Sequence, residues 1–327
     1  MESKRVTWLD DARGICVFCV LLAHSGIEHH YLYTLYTPFF LTTFFFISGL
    51  LYKNTTLKDD ILKIVKHLLI PYFLLNLLII FIGIDNWKAL FHGDYSFLYG
   101  KLKDTFLGYN MWFIPCIIMV QLYVTLLYHI YMKTLVLKAC TAFCLMFTVY
   151  LIKNDDNSFM YWYMDIALFS SFFFLLGNIV KSIFGYSEWL PNFKFKKILS
   201  VSILIIYFCF SFLLQDSINM EFHYAYNYYE KPLLFILLSI LGIVSICIFF
   251  QSVNIKFFNI LGRNSLTFFA FNGKAKSLAL LLLPKFFYFE SYTIVLLLCL
   301  IESFILIFVS TLINKYCPWL IGKYKIK

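Results

Sequence analysis

An arginine and a histidine stand eleven residues apart in the first apolar stretch of the chain, at Arg13 and His24. At about 100° per residue, eleven steps along a helix return to within about 20° of the starting direction, so both side chains share one face. Their axial separation is about 16 Å, roughly half the hydrocarbon thickness of a bilayer. Asp10 precedes Arg13 by three residues, close enough on a helix to pair with it. One face would then carry a carboxylate and a guanidinium near one membrane surface and an imidazole deeper in. Imidazole exchanges a proton near neutral pH, which a deep Lys or Arg does poorly. The plainer reading is a membrane-entry arginine and a histidine bonded to a neighbouring carbonyl; the shared phase favours the functional one.

These residues need elements to hold them, and composition says which. The 327 residues are 61% hydrophobic and 14% charged, against about 25% charged in soluble domains. Most of the chain therefore avoids water. The 39 Phe and 24 Tyr suit lipid-facing helices and interfacial belts. Apolar runs long enough to cross a bilayer cover 12–28, 36–52, 67–84, 112–132, 134–151, 163–183, 197–215, 232–250, 264–283 and 291–313. The expectation is an all-α polytopic membrane protein of about ten transmembrane helices, built as one domain over 1–327, with no cleaved leader. If the N-terminus is cytoplasmic, 18 Lys and Arg fall on inside segments, six on outside segments and three at or within spans. That bias puts both termini in the cytoplasm and accounts for the net charge of +9 without nucleic acid. Nine cysteines lie scattered in apolar stretches, Cys16 and Cys19 among them, and read as small buried hydrophobes; no metal site is expected.

Two outside segments mix aromatics with carboxylates. Residues 85–111 carry Trp87, Tyr95, Tyr99 and Tyr109, and residues 216–231 carry Asp216, Glu221, His223 and Tyr224. They read either as sugar contacts or as a tyrosine belt. Inside the spans, Glu302, Lys274 and Lys276 suggest an intramembrane ion pair, while Asn76, Gln121, Asp165 and Asn178 suggest bonds between helices.

The stretch Leu9-Asp10-Asp11-Ala12-Arg13-Gly14-Ile15, followed by Ala23-His24-Ser25, resembles the opening of the membrane acyltransferase 3 family, which includes sugar and polysaccharide O-acetylases. Arg13, ten residues, then His24 fits that family's hallmark. Further elements follow in order. They are Phe44-Phe45-Phe46-Ile47-Ser48-Gly49, then Lys63 and Lys66 before Pro71-Tyr72, then Met111-Trp112-Phe113-Ile114-Pro115. Phe172–Asn178 and Leu261-Gly262-Arg263-Asn264-Ser265-Leu266-Thr267 complete the set. The fucose 4-O-acetylase-like branch is the most similar. Two positions depart from the pattern: Asn272 stands near an expected second histidine, and the basic pair is Lys63 and Lys66 rather than two arginines.

The resemblance implies a membrane-bound O-acyltransferase of the bacterial inner membrane. Its donor would be acetyl-CoA or another acyl-CoA, and its acceptor a hydroxyl of an envelope sugar, polysaccharide or glycolipid. Arg13, Lys63, Lys66 and Arg263 would hold the donor's phosphates. His24 would be the general base, aided by Arg13 and Asp10. Ser48, Trp112, Asn264, Ser265 and Asn272 would contact substrate or the developing oxyanion. An acyl-enzyme route stays open. The competing readings are a flippase for a lipid-linked glycan, which would predict repeats and broken helices in matching positions, and an inactive relative acting as a sensor.

Overall fold

A computed structural model describes residues 6–25, 30–93, 95–151, 160–185, 189, 193–214, 231–282 and 292–323. The segment 216–230 expected to carry sugar contacts lies outside them. In chain order the elements used below are α1 Thr7–His24, α2 His30–Leu51, α3 Leu57–Ile82, α4 Ile84–Phe91, α5 Tyr95–Leu107, α6 Phe113–Ile130 and α7 Leu135–Met146. They continue with α8 Met164–Phe184, α9 Lys196–Leu213, α10 Pro232–Ser252, α11 Lys256–Arg263, α12 Ser265–Leu282 and α13 Tyr292–Tyr316. Among the described residues no strand forms.

Every expected span is helical over most of its described residues. Seven are long and apolar enough to cross a membrane, at Tyr33–Leu51, Leu57–Ile82, Phe113–Ile130, Tyr161–Phe184, Lys196–Leu213, Pro232–Ser252 and Tyr292–Tyr316. The chain is thus an all-helical, multi-pass membrane protein. The other three candidates fall short of that standard. In α1 the cause is three charges in its first half, in α7 a length of twelve residues, and in α12 the polar run Asn272 to Ser277. Charges and short length are tolerable in a span only where protein, not lipid, surrounds them. Asp10 and Asp11 fit that rule, being 4% and 0% exposed.

Local chemistry starts and bends these helices. Thr56 caps α3, its hydroxyl accepting from the Asp59 N–H, and Asp59 and Asp60 occupy the first turn, where carboxylates suit the helix dipole. A single π turn, Val65–Leu69, then re-phases α3 before Pro71. His67 Nδ1 lies 2.7 Å from the Gly322 carbonyl and pins the C-terminal segment there. Pro38 lies inside α2 and cannot donate to the Thr34 carbonyl. Ser211 of α9 donates to that oxygen instead (2.8 Å), and Ser239 of α10 donates to the Pro38 carbonyl (2.6 Å). In lipid, neighbouring helices must supply what water would give elsewhere.

Packing in a bilayer depends on close backbone approach more than on apolar area, since lipid tails are as apolar as leucine. Two glycine pairs provide it, and all four glycines belong to the motifs read above. A Cβ on Gly14 of α1 would meet the Phe258 carbonyl oxygen of α11 at 1.8 Å, and one on Gly262 would meet the Asp10 carbonyl oxygen at 1.8 Å. On the other side of the core, a Cβ on Gly49 of α2 would meet the Phe174 oxygen at 1.8 Å, and one on Gly177 of α8 the Phe46 oxygen at 2.0 Å. Reciprocal contacts of this kind bring α1 against α11 and α2 against α8. Asn178 reinforces the second crossing: it donates to the Gly49 carbonyl (3.4 Å) and accepts from the buried Lys138 of α7 (2.9 Å). The expected helix-bonding role of Asn178 is what the structure has. Helices α1 and α2 are the centre, packed on by α8, α10 and α11, with α6 against α8, while α9 turns most of its surface outward.

Candidate active site

The central helices divide the candidate residues between two cavities. Helix α1 runs from Arg13 to His24, and α2 returns beside it, so each end of the pair is lined by matching ends of α3 and α6. At the His24 end lies a cavity of about 590 Å³. At the Arg13 end lies a smaller one of about 340 Å³. A large ligand fits the first; pockets for small molecules run from about 300 Å³ upward.

The His24 cavity is built from the last turn of α1, the start of α2, the far end of α3, the start of α6 and the middle of α12. His24, Trp112 and Asn272 line it together. The His24 ring is open to the cavity. Its turn is held from two sides: Ser25 Oγ donates to the Leu22 carbonyl (2.7 Å), and Lys276 Nζ of α12 donates to the His24 carbonyl (2.6 Å). A cation on the free carbonyls of a helix C-terminus is favourable both as a hydrogen bond and through the helix dipole. Asn272 accepts the Gly273 N–H on its side-chain oxygen (2.5 Å), which leaves its NH₂ group to donate elsewhere.

An aromatic wall joins two of the motifs to Phe269, two residues past a third. Phe113 stacks on Phe269 at 4.6 Å, and Phe44 meets both rings edge-on at 5.4 and 5.3 Å. Trp112 leans on Tyr163 at 5.6 Å. The rim is strained. Met111, Trp162 and Tyr163 are non-glycine residues at φ of 49°, 59° and 53°, and each such conformation costs on the order of 1 kcal/mol or more. Trp162 is pinned by donating from its indole N–H to the Phe106 carbonyl (3.1 Å). Strain of this kind is retained where surrounding structure over-determines it, and Met111, next to Trp112, lines the cavity itself.

Lys101, Asn86 and Asn110, which the sequence did not single out, add to the lining. So do Lys274, expected in an ion pair, and Asn76, expected to bond between helices, whose NH₂ group donates to the Tyr72 carbonyl of its own helix (2.9 Å). Asn110 donates to the Lys101 carbonyl (3.2 Å) and to Thr105 Oγ1 (2.9 Å), and Tyr72 donates to the Thr105 carbonyl (2.8 Å). Those bonds dock α5 on the cavity mouth. The expected aromatics of the same segment sit elsewhere: Tyr95 and Tyr99 are exposed, and the Trp87 indole N–H bonds the Phe81 carbonyl (2.7 Å). Of the intramembrane charges, Glu302 is buried and Lys276 lies close enough to attract its charge, yet the Lys276 ammonium spends its short bond on His24.

The Arg13 cavity gathers Arg13, Ser48 and Lys63 with Lys53, Tyr52 and Gln121. Its polar wall is organised by the buried Asp60. Thr55 donates to Asp60 from its hydroxyl (2.5 Å) and its N–H (3.1 Å), Lys63 Nζ lies 3.1 Å from Oδ1, and His129 Nε2 lies 3.4 Å from Oδ2. Ser48 Oγ donates to the Phe44 carbonyl (2.7 Å), so its proton is committed to its own helix. Arg13 and His24 therefore serve different spaces on the same helix.

Five candidates line neither cavity. Lys66 and Arg263 are exposed. Asn264 donates to the Ile260 carbonyl (2.8 Å) and accepts from Asn314 (2.8 Å), a bond that ties α11 to α13. Ser265 opens α12 beside it. Asp10 is buried under the α11 crossing rather than in either cavity. Among the described residues no cluster of three His, Cys, Asp or Glu side chains is placed to hold a metal.

Comparison with known proteins gives one match over nearly the whole length: a family model described as an acyltransferase domain aligns with residues 6–323. No curated protein and no solved structure matches the chain.

Proposed function

The chain belongs to this acyltransferase family, and from that premise we propose that it moves an acyl group, acetyl in the simplest case, from acyl-coenzyme A to a hydroxyl of an envelope glycan, sugar or glycolipid. The observation that carries the reading is the placement of His24: an imidazole open to a large cavity, on the same helix as an arginine that faces a second, basic cavity at the opposite end.

The division of labour follows from charge. Arg13, Lys53 and Lys63 around the smaller cavity suit the phosphates of coenzyme A, with Asp60 fixing Lys63. Acyl-coenzyme A is made in the cytoplasm, so this end faces inward, in agreement with the bias of lysine and arginine along the chain. The acyl arm enters the core toward His24, and the acceptor occupies the larger cavity. His24 takes the proton of the acceptor hydroxyl as its oxygen attacks the thioester carbonyl. The Asn272 NH₂ group donates to the oxyanion that forms. The carbon–sulfur bond then breaks, the ester remains, and the proton held by His24 passes to the departing thiolate. The enzyme works in the bacterial cytoplasmic membrane with both termini inside. Transfer of labelled acetyl from acetyl-coenzyme A into a glycan or lipid fraction, lost with His24→Ala, is the test.

A further inference from the structure

The charge inventory of the larger cavity is one-sided. Among the described residues lining it are Lys101, Lys274 and His24, and no Asp or Glu. The smaller cavity differs, because there Asp60 offsets part of the positive charge. Among the described residues neither lysine of the larger cavity has a protein counter-ion. Lys276, two residues after Lys274 and so on nearly the opposite side of α12, is committed to the His24 carbonyl and lies near Glu302. Lys274 makes no hydrogen bond or ion pair among the described residues, and Lys101 has only the ring of Phe97 beneath its ammonium, at 4.9 Å. The two come from separate elements, α5 at the mouth and α12 at the wall. Lys274 is exposed and Lys101 half-buried, so both ammonium groups are open to a ligand in the cavity. Two cations in a cavity lined by no carboxylate among the described residues set up a positive field that draws an anion in.

We propose that the acceptor taken by this cavity is anionic: Lys101 and Lys274 hold a carboxylate or phosphate carried at or beside the acylated sugar, while its hydroxyl faces His24. This rests on the acyl-transfer reading given above and adds the class of acceptor. Charge-assisted contacts of this kind are each worth about tenfold or more in affinity.

The test uses membranes from cells producing the full-length protein, supplied with labelled acetyl-coenzyme A. The labelled product is trimmed to the acylated residue and its immediate neighbours and passed over an anion exchanger. The expected result is retention, with uronic acid or phosphorus content of the fragment telling a carboxylate from a phosphate. Lys101→Met with Lys274→Met should lower labelling tenfold or more. The double arginine variant should keep most of it, which separates lost charge from lost fold, and Lys103→Met, exposed and outside the cavity, should stay within twofold. A neutral fragment, or full labelling by both the double methionine and the double glutamate variants, would overturn the proposal while leaving acyl transfer intact. Absence of label with the unaltered protein would overturn the transfer reading and this inference with it.

Discussion

Lys276 Nζ lies 2.6 Å from the main-chain oxygen of His24, so a cation on α12 fixes the last turn of α1. Hydrogen bonds that involve a charged group contribute about 1.5–3 kcal/mol. Replacing Lys276 with Met frees the turn that aims the imidazole without touching the imidazole itself. The expected outcome is a fall in kcat of about tenfold with the apparent donor KM within twofold, and partial recovery with Lys276→Arg. A rise in donor KM at constant kcat would instead place Lys276 in donor binding.

The two basic residues of α3 should behave differently. Lys63 lines the Arg13 cavity and Lys66 does not, although they are three residues apart. Lys63→Glu is expected to raise the apparent KM for acetyl-coenzyme A about tenfold, in keeping with loss of one charge-assisted contact. Lys66→Glu should leave it within twofold. Steady-state kinetics on the two variants in reconstituted membranes decides this; equal effects would mean that bulk surface charge, not the cavity, attracts the donor.

Gly14 and Gly262 make the tightest helix crossing next to the site. Gly14→Ala or Gly262→Ala puts a methyl carbon within 1.8 Å of a main-chain oxygen. Overpacking costs about 1–3 kcal/mol even where side chains can move aside, and here the obstacle is backbone. Thermal melting of the detergent-purified variants should show a clear loss of Tm or no folded protein. Gly100→Ala is the control: nothing lies within 4 Å of the added carbon, and in a helix the change is worth about 0.5–1 kcal/mol of added stability.

What sequence could and could not disclose follows from range. Hydropathy is a local signal, so the apolar helices were legible, seven of them long and apolar enough to cross a membrane, and Arg13 and His24 were legible as two residues of one helix, where each lines a cavity of its own. The motif glycines were legible as pattern but not as purpose, because Gly14 meets Gly262 across almost the whole chain. The separation of Lys63 from Lys66 was hidden too: Lys63 lines the smaller cavity and Lys66 does not, and the π turn Val65–Leu69 begins between them. Lys101 carried no signal either. A lysine between apolar spans reads as solvated, and only the docking of α5 through Tyr72 and Asn110 brings it to the cavity. Aromatic residues of the same segment looked more suited to a sugar, yet Tyr95 and Tyr99 face outward, Trp87 bonds locally, and Tyr109 packs against Tyr161 and Tyr163.

The central claim is that His24 carries the proton in acyl transfer. Membranes holding equal amounts of the unaltered protein and of His24→Ala should be given labelled acetyl-coenzyme A, and the label in glycan and lipid fractions followed with time. General base catalysis contributes about 10²–10⁴-fold, so the account predicts steady labelling by the unaltered protein and loss of at least about a hundredfold in the variant. Equal labelling by both would contradict it and remove His24 from the chemistry.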